Sequence, residues 1–200
     1  MLVSVRQHGG PNAVIYFGGN AEDISRSLPI FGQAFPDRAL YLMYYPGYGG
    51  SDGSPSQEAI HRNALLLFDK VHAAHAHVTV IGRSLGSGAA MQLASERPVA
   101  SLILVTPYDS VLAIASERFW MFPIRWLLKD TFDSANLAPG INVPTLLIAA
   151  EHDDVIPAAS THRLFKAFKP GVANLKVLPG TGHNTVSEPA DYLRLIHAGL

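Results

Sequence analysis

Six short apolar runs punctuate the chain at residues 13–17, 39–45, 78–81, 101–105, 145–149 and 175–178, with helix-like stretches between them. This rhythm limits the fold more than any other feature. Each run is four to seven residues long, rich in Val, Ile, Leu and Tyr, and mostly continuous rather than alternating. That is the pattern of strands in a parallel sheet covered on both faces. Residues 3–7 alternate instead, which suits an edge strand. Strands separated by helices predict an α/β fold with a mostly parallel, doubly wound sheet and helices on both faces. Ligands of such sheets bind beyond the carboxyl ends of the strands, so the residues just after each run carry the chemical interest.

Caps and spacing mark the helices. Ser54-Pro55-Ser56-Gln57 reads as an N-cap serine, a proline at the first helical position and a reciprocating glutamine. Ile60, Ala64, Leu67, Phe68 and Val71 follow on one face. A second helix spans 85–97 and stops at Pro98; a third spans 158–168, between Pro157 and Lys169-Pro170-Gly171; a last one covers about 187–197. Residues 109–139 break the rhythm and are too long for a single crossover. They hold Phe119, Trp120, Met121, Phe122, Trp126, Leu127 and Leu128, and read as a small helical insertion over the sheet edge. Its apolar residues either pack on the sheet or wall a substrate site. With no repeat and no linker-like shift in composition, one domain over 1–200 is expected.

Composition narrows the function classes. Fifteen Lys and Arg against sixteen Asp and Glu give a formal net charge of −1, which excludes nucleic-acid binding driven by bulk charge. An apolar share of 48% with only 16% charged residues excludes disorder. Cysteine is absent, which removes disulfides, Cys-ligated metals and a Cys nucleophile. The first residues lack the layout of a signal peptide, and no uncharged apolar run approaches the ~20 residues of a membrane span. A cytoplasmic protein is therefore expected. No oligomeric state is assigned.

Chemistry centres on Gly82-Arg83-Ser84-Leu85-Gly86, directly after the 78–81 run and directly before a helix. A serine held on a sharp strand-to-helix turn needs flanking glycines, because side chains there would meet neighbouring backbone. The turn lifts the hydroxyl above the sheet edge, and the helix N-terminus aims its N–H groups at developing negative charge. Such a hydroxyl is inert at neutral pH without a base and a carboxylate to orient that base. Of the nine histidines, His183 in Pro179-Gly180-Thr181-Gly182-His183-Asn184 lies in a loop after the last strand, on the same edge as Ser84. Glu151-His152-Asp153-Asp154 follows the 145–149 run and offers the carboxylate, with Asp109 as an alternative. His72, His75 and His77 lack a carboxylate partner and have poor spacing for a metal. Arg83 and Asp52 read as loop-ordering residues rather than catalysts.

Together with the blocks Tyr16-Phe17-Gly18-Gly19-Asn20-Ala21-Glu22-Asp23 and Tyr45-Pro46-Gly47-Tyr48-Gly49-Gly50-Ser51-Asp52, these residues resemble the α/β-hydrolases. The likeness is to compact serine hydrolases with little or no lid, among them the depalmitoylase-like α/β-hydrolase-domain proteins and their bacterial relatives. The resemblance implies Asp153 as the triad acid, ahead of Ile156-Pro157, and the backbone N–H groups of Leu85 and Asn20 as the oxyanion hole. It implies cleavage of a carboxylic ester or thioester in a small molecule or acyl chain, through an acyl-enzyme on Ser84, with no cofactor and no metal. A peptidase or amidase on the same fold, or a non-catalytic binding protein that retains it, are the alternatives. Two departures stand out: Gly18-Gly19 replaces the usual His-Gly, and at most one strand is expected before Ala13, where the resemblance implies a hairpin.

Overall fold

A computed structural model describes residues 2–119, 121–122 and 128–200. The expected sheet is present, with β1 (Val3–Arg6), β2 (Asn12–Phe17), β3 (Ala39–Met43), β4 (His77–Arg83), β5 (Ser101–Val105), β6 (Thr145–Ala150) and β7 (Ala173–Leu178) in the order β1-β3-β2-β4-β5-β6-β7. Only the edge strand β1 runs antiparallel, with Val3 opposite Met43; the other pairings are parallel. The chain moves outward from β2 to β3, then crosses back to β4 on the other side of β2. The carboxyl ends of β2 and β4 therefore border the crevice where winding reverses, the position at which open α/β sheets bind ligands.

Burial on both faces explains the continuous apolar runs. Ala13, Ile15 and Phe17 of β2 face one core and Val14 and Tyr16 face the other. The first core takes α2 (Gln57–His72), α3 (Leu85–Glu96) and α6 (Ala158–Ala167); the second takes α1 (Ser27–Ala34) and α7 (Ala190–Ala198). In α2 the residues at helical spacing are the buried ones, and each of Ile60, Leu67, Phe68 and Val71 contributes roughly 1.5–3 kcal/mol on full burial.

Three local expectations need correction. The cap of α2 is Ser56, not Ser54: its Oγ accepts from the Ala59 N–H at 3.2 Å. Gln57 does not close a capping box, because its side-chain oxygen accepts the N–H groups of Thr131 and Phe132, each at 3.0 Å. A tertiary contact has outcompeted the local one. Helix α7 starts only at Ala190, because Pro189 is extended (ψ 143°) and disfavours helical backbone before it. Between β2 and β3 a 3-10 turn (Ile24–Arg26) leads into α1. Pro29 is tolerated there because it falls in the first turn, where its missing N–H has no intrahelical role.

The insertion carries short helices, and its apolar residues divide between packing and exposure. Its described helices are α4 (Val111–Arg118) and α5 (Ser134–Leu137), followed by a 3-10 turn (Ala138–Gly140). Helix α4 has no fully buried residue, and Phe119, Met121 and Phe122 are 50%, 73% and 60% exposed rather than packed on the sheet. Half-buried Val111 and Ile114 seat α4 against the first core, and polar ties add to them: Ser110 caps it through the Ala113 N–H, and Arg163 of α6 reaches Glu117 at 3.0 Å. Trp120, Trp126 and Leu127 lie outside the described residues. Among the described residues no helix is long and apolar enough to cross a membrane.

Candidate active site

Ser84 joins β4 to α3 at φ 49°, ψ −117°, a left-handed conformation that costs a non-glycine residue about 1–3 kcal/mol. The surroundings hold it there. The Ser84 N–H donates to the Val105 carbonyl at 2.8 Å, and the Ser84 carbonyl accepts the Ser87 N–H at 2.9 Å and the Ser87 hydroxyl at 2.7 Å. A Cβ on Gly82 would collide with the Gly86 carbonyl and Ala90, and one on Gly86 with the Phe17 carbonyl. Only glycine fits at either position. Ala21 (φ 57°) after β2 and Thr106 (φ 45°) after β5 share the left-handed region, so non-glycine strain gathers on this edge of the sheet.

His183 reaches the same point from the loop after β7, and Asp153 from the loop after β6. The Nε2 of His183 lies 3.0 Å from Ser84 Oγ, and its Nδ1 lies 3.0 and 2.9 Å from the two carboxylate oxygens of Asp153. His183 and Asp153 side chains are only 8% and 6% exposed. Asp153 Oδ1 also accepts the N–H groups of Val155 (3.0 Å) and Ile156 (2.7 Å), which hold the carboxylate in place. An ionised carboxylate can only accept, so in the neutral imidazole Nδ1 carries the proton and Nε2 presents its lone pair to the serine hydroxyl. Its neighbours Glu151 and Asp154 are exposed, and Glu151 instead accepts the Gly180 N–H at 2.7 Å.

Opposite Ser84, the loop after β2 carries Asn20. A Cβ on Gly19 would stand 3.6 Å from that of Ser84, so this backbone borders the hydroxyl. Tyr45 fixes the loop by donating to the Gly18 carbonyl at 2.7 Å, and Tyr48 by donating to the Asn20 side-chain oxygen at 2.6 Å. Glu22 accepts the Gly19 N–H at 2.6 Å and the Tyr16 hydroxyl at 2.7 Å. Burial, with Tyr192 and Glu22 adding to it, keeps the Tyr16 phenol protonated far above its ordinary range, so it remains a donor. Leu85 is the first residue of α3, where an N–H has no partner within its own helix. The Gly19 backbone and the first residue of α3 thus both border the serine. Glu22, Tyr45 and Tyr48 were not singled out from the sequence; the carboxylate three residues after Gly19 was the available signal.

The other residues weighed earlier stand outside the side-chain relay of Ser84, His183 and Asp153. Asp109 is buried but bonds Ser160 and Arg163, both at 2.5 Å, and makes no bond to His183. His75 spends its ring nitrogens on the Gly10 carbonyl (2.8 Å) and the Tyr41 hydroxyl (3.0 Å), while His72 stacks on Phe68. Asp52 is exposed, and backbone turns order its loop instead, including Ser51 N–H to the Tyr48 carbonyl at 2.9 Å. Arg83 bonds Glu22 at 2.9 Å; burial opposes its charge, but that bond and the Glu22 charge outweigh burial and raise its pKa. A cavity of about 570 Å³ opens at the opposite end of the strands, among Ser101, Thr145, Lys176 and Leu200. It contains none of the residues around Ser84, so its size has no bearing on that chemistry.

Similarity to known proteins agrees with this architecture. Residues 124–190 match a family model described as serine aminopeptidase, S33. An uncharacterized protein of Mycobacterium tuberculosis is 32% identical over 184 residues, covering 88% of this chain and 64% of its own length. Alpha/beta hydrolase domain-containing protein aho-3 of Caenorhabditis elegans is 28% identical over 194 residues, covering 92% of this chain and 56% of its own. The chain thus spans less than two thirds of either relative. Among solved structures, MGS-M2, an alpha/beta hydrolase enzyme from a deep-sea metagenome library, superposes with a TM-score of 0.79 at 17% identity, over 98% of this chain and 92% of that one. With its seven-stranded sheet, its strained serine at the switch point and these relatives, the chain belongs to the α/β-hydrolase superfamily.

Proposed function

We propose that this protein is a serine hydrolase acting on carboxylic ester or thioester bonds. One observation carries the reading: an unbroken relay in which His183 Nε2 lies 3.0 Å from Ser84 Oγ and Nδ1 lies 2.9 Å from Asp153. In the reaction, Ser84 attacks the acyl carbonyl as His183 takes its proton, and Asp153 stabilises the imidazolium and holds its tautomer. The N–H groups of Leu85 and Asn20 receive the negative charge that develops on the carbonyl oxygen. His183 then returns its proton to the departing alcohol or thiol, leaving an acyl group on Ser84. Water enters, gives a proton to His183 and releases the acid, and the proton goes back to Ser84. Each step uses side chains and backbone of this chain. The single seven-stranded sheet supports reading residues 1–200 as one domain.

The test is hydrolysis of p-nitrophenyl esters from acetate to palmitate by the wild type and by Ser84→Ala. The wild type should turn over with a chain-length optimum, and the variant should lose about 10⁴-fold or more in kcat. A loss below tenfold would remove Ser84 as nucleophile. A second reading, amide cleavage, is favoured by the description of the matched family as a serine aminopeptidase. Aminoacyl p-nitroanilides run beside the esters separate the two, and labelling by a fluorophosphonate reports an activated serine in either case.

A further inference from the structure

We propose that Arg83 is a positioning residue that locks the nucleophile, oxyanion and base loops to one another; this rests on the triad reading above. The three loops leave the sheet after β4, β2 and β7, and His183 is 100 residues from Arg83 in the chain. Arg83 Nη1 donates to Glu22 Oε2 at 2.9 Å, and Nη2 donates to the His183 carbonyl at 3.3 Å. One rigid fork, one residue before the nucleophile, thus touches the other two loops. Glu22 carries the restraint further, because the oxygen that receives Arg83 also receives the Gly19 N–H at 2.6 Å. With Gly19 turned toward Glu22, the neighbouring Asn20 N–H is left to face the developing oxyanion. The second carboxylate oxygen is pinned by Tyr16 at 2.7 Å and Ser27 at 3.3 Å, so Glu22 cannot swing to follow a displaced partner.

The arrangement suits positioning better than stability. Arg83 and Glu22 side chains are 15% and 13% exposed, and a buried ion pair returns little net stability for its desolvation, while it does impose a geometry. Arginine is required for the geometry, since a lysine ammonium cannot hold two acceptors in a fixed plane. Arg83 Nε has no partner among the described residues, so the guanidinium is held entirely from its two terminal nitrogens. A displacement of about 1 Å in a catalytic group costs on the order of 10²-fold in rate.

The experiment compares Arg83→Lys, Arg83→Gln, Glu22→Gln and the Arg83→Gln/Glu22→Gln double variant for ester turnover, fluorophosphonate labelling rate and the NMR resonance of the His183 Nδ1 proton. Each single variant should lose about 10–100-fold in kcat with KM within about threefold, and labelling should slow in parallel. The double variant should lose no more than the worse single one, because both act through one clamp. The His183 resonance should shift or broaden in every variant, including Arg83→Lys, which keeps the charge and guards against failure of Arg83→Gln to fold. Turnover within threefold of wild type with an unmoved His183 resonance overturns the proposal, as do additive losses that track thermal stability alone. A wild type that neither turns over nor labels would sink the hydrolase reading instead. In that protein the His183 resonance still decides whether Arg83 restrains the loop.

Discussion

Two carboxylates stand at the carboxyl edge of the sheet, Asp109 after β5 and Asp153 after β6, with side chains 7% and 6% exposed. Both follow a buried strand, and both accept a backbone N–H from their own loop: Asp109 from Ser110 at 2.9 Å, Asp153 from Ile156 at 2.7 Å. What faces them differs. Asp153 meets an imidazole, which can gain and lose a proton near neutral pH. Asp109 meets the Arg163 guanidinium, which cannot give up its proton, and the Ser160 hydroxyl. Its backbone carbonyl also receives the Ala135 N–H at 2.9 Å, so Asp109 fastens the two ends of the insertion to α6. Burial and backbone bonds hold both carboxylates rigid; the partner decides whether the carboxylate can support proton transfer or only anchors a loop.

Exchanging the roles of these carboxylates is the sharpest way to break the comparison. Asp153→Asn should lower kcat by about 10⁴-fold, because an amide in that place lets the imidazole take the wrong tautomer. Its melting temperature should stay close to that of the wild type, and steady-state kinetics beside thermal denaturation reads both. Asp109→Asn should do the reverse, losing about 1.5–3 kcal/mol in urea unfolding as the charge-assisted bond to Arg163 goes, with turnover per folded molecule within about threefold. Loss of turnover without loss of stability in that variant would transfer the triad role to Asp109. Asp154→Asn is the smallest step. Its side chain is exposed beside Asp153, and both stability (within about 0.5 kcal/mol) and kcat should hold. A large effect there would mean that the acidic pair shares the work.

Much of this could be read without coordinates. The apolar runs located the parallel strands because each is buried on both faces, and Gly82-Arg83-Ser84-Leu85-Gly86 located the elbow because only glycine fits beside the strained serine. His183 stood out because a glycine-flanked histidine after the last strand had to reach the same edge. The choice of Asp153 over Glu151, Asp154 and Asp109 needed the resemblance to a family, since four carboxylates at one edge differ in orientation and not in spacing. The cap of α2 slipped because Gln57 bonds Thr131 and Phe132, more than seventy residues away, a competition invisible in a four-residue pattern. Apolar content left open whether Phe119, Met121 and Phe122 pack on the sheet or wall a substrate site, and they stand exposed, because residue type says only that burial would be favourable and not that a surface is in reach.

The sequence by itself determined the layered α/β architecture, the strained serine and the edge of the sheet where chemistry gathers. These follow from local rules: strand and helix periodicity, glycine sterics, and the link between chain direction and parallel pairing. Tertiary structure alone decided that Glu22 takes the Gly19 N–H, that Asp109 turns to Ser160 and Arg163, and that Arg83 joins loops 100 residues apart. Hydrogen bonds among distant side chains depend on distance and angle to within a fraction of an ångström, and only the packed fold sets those.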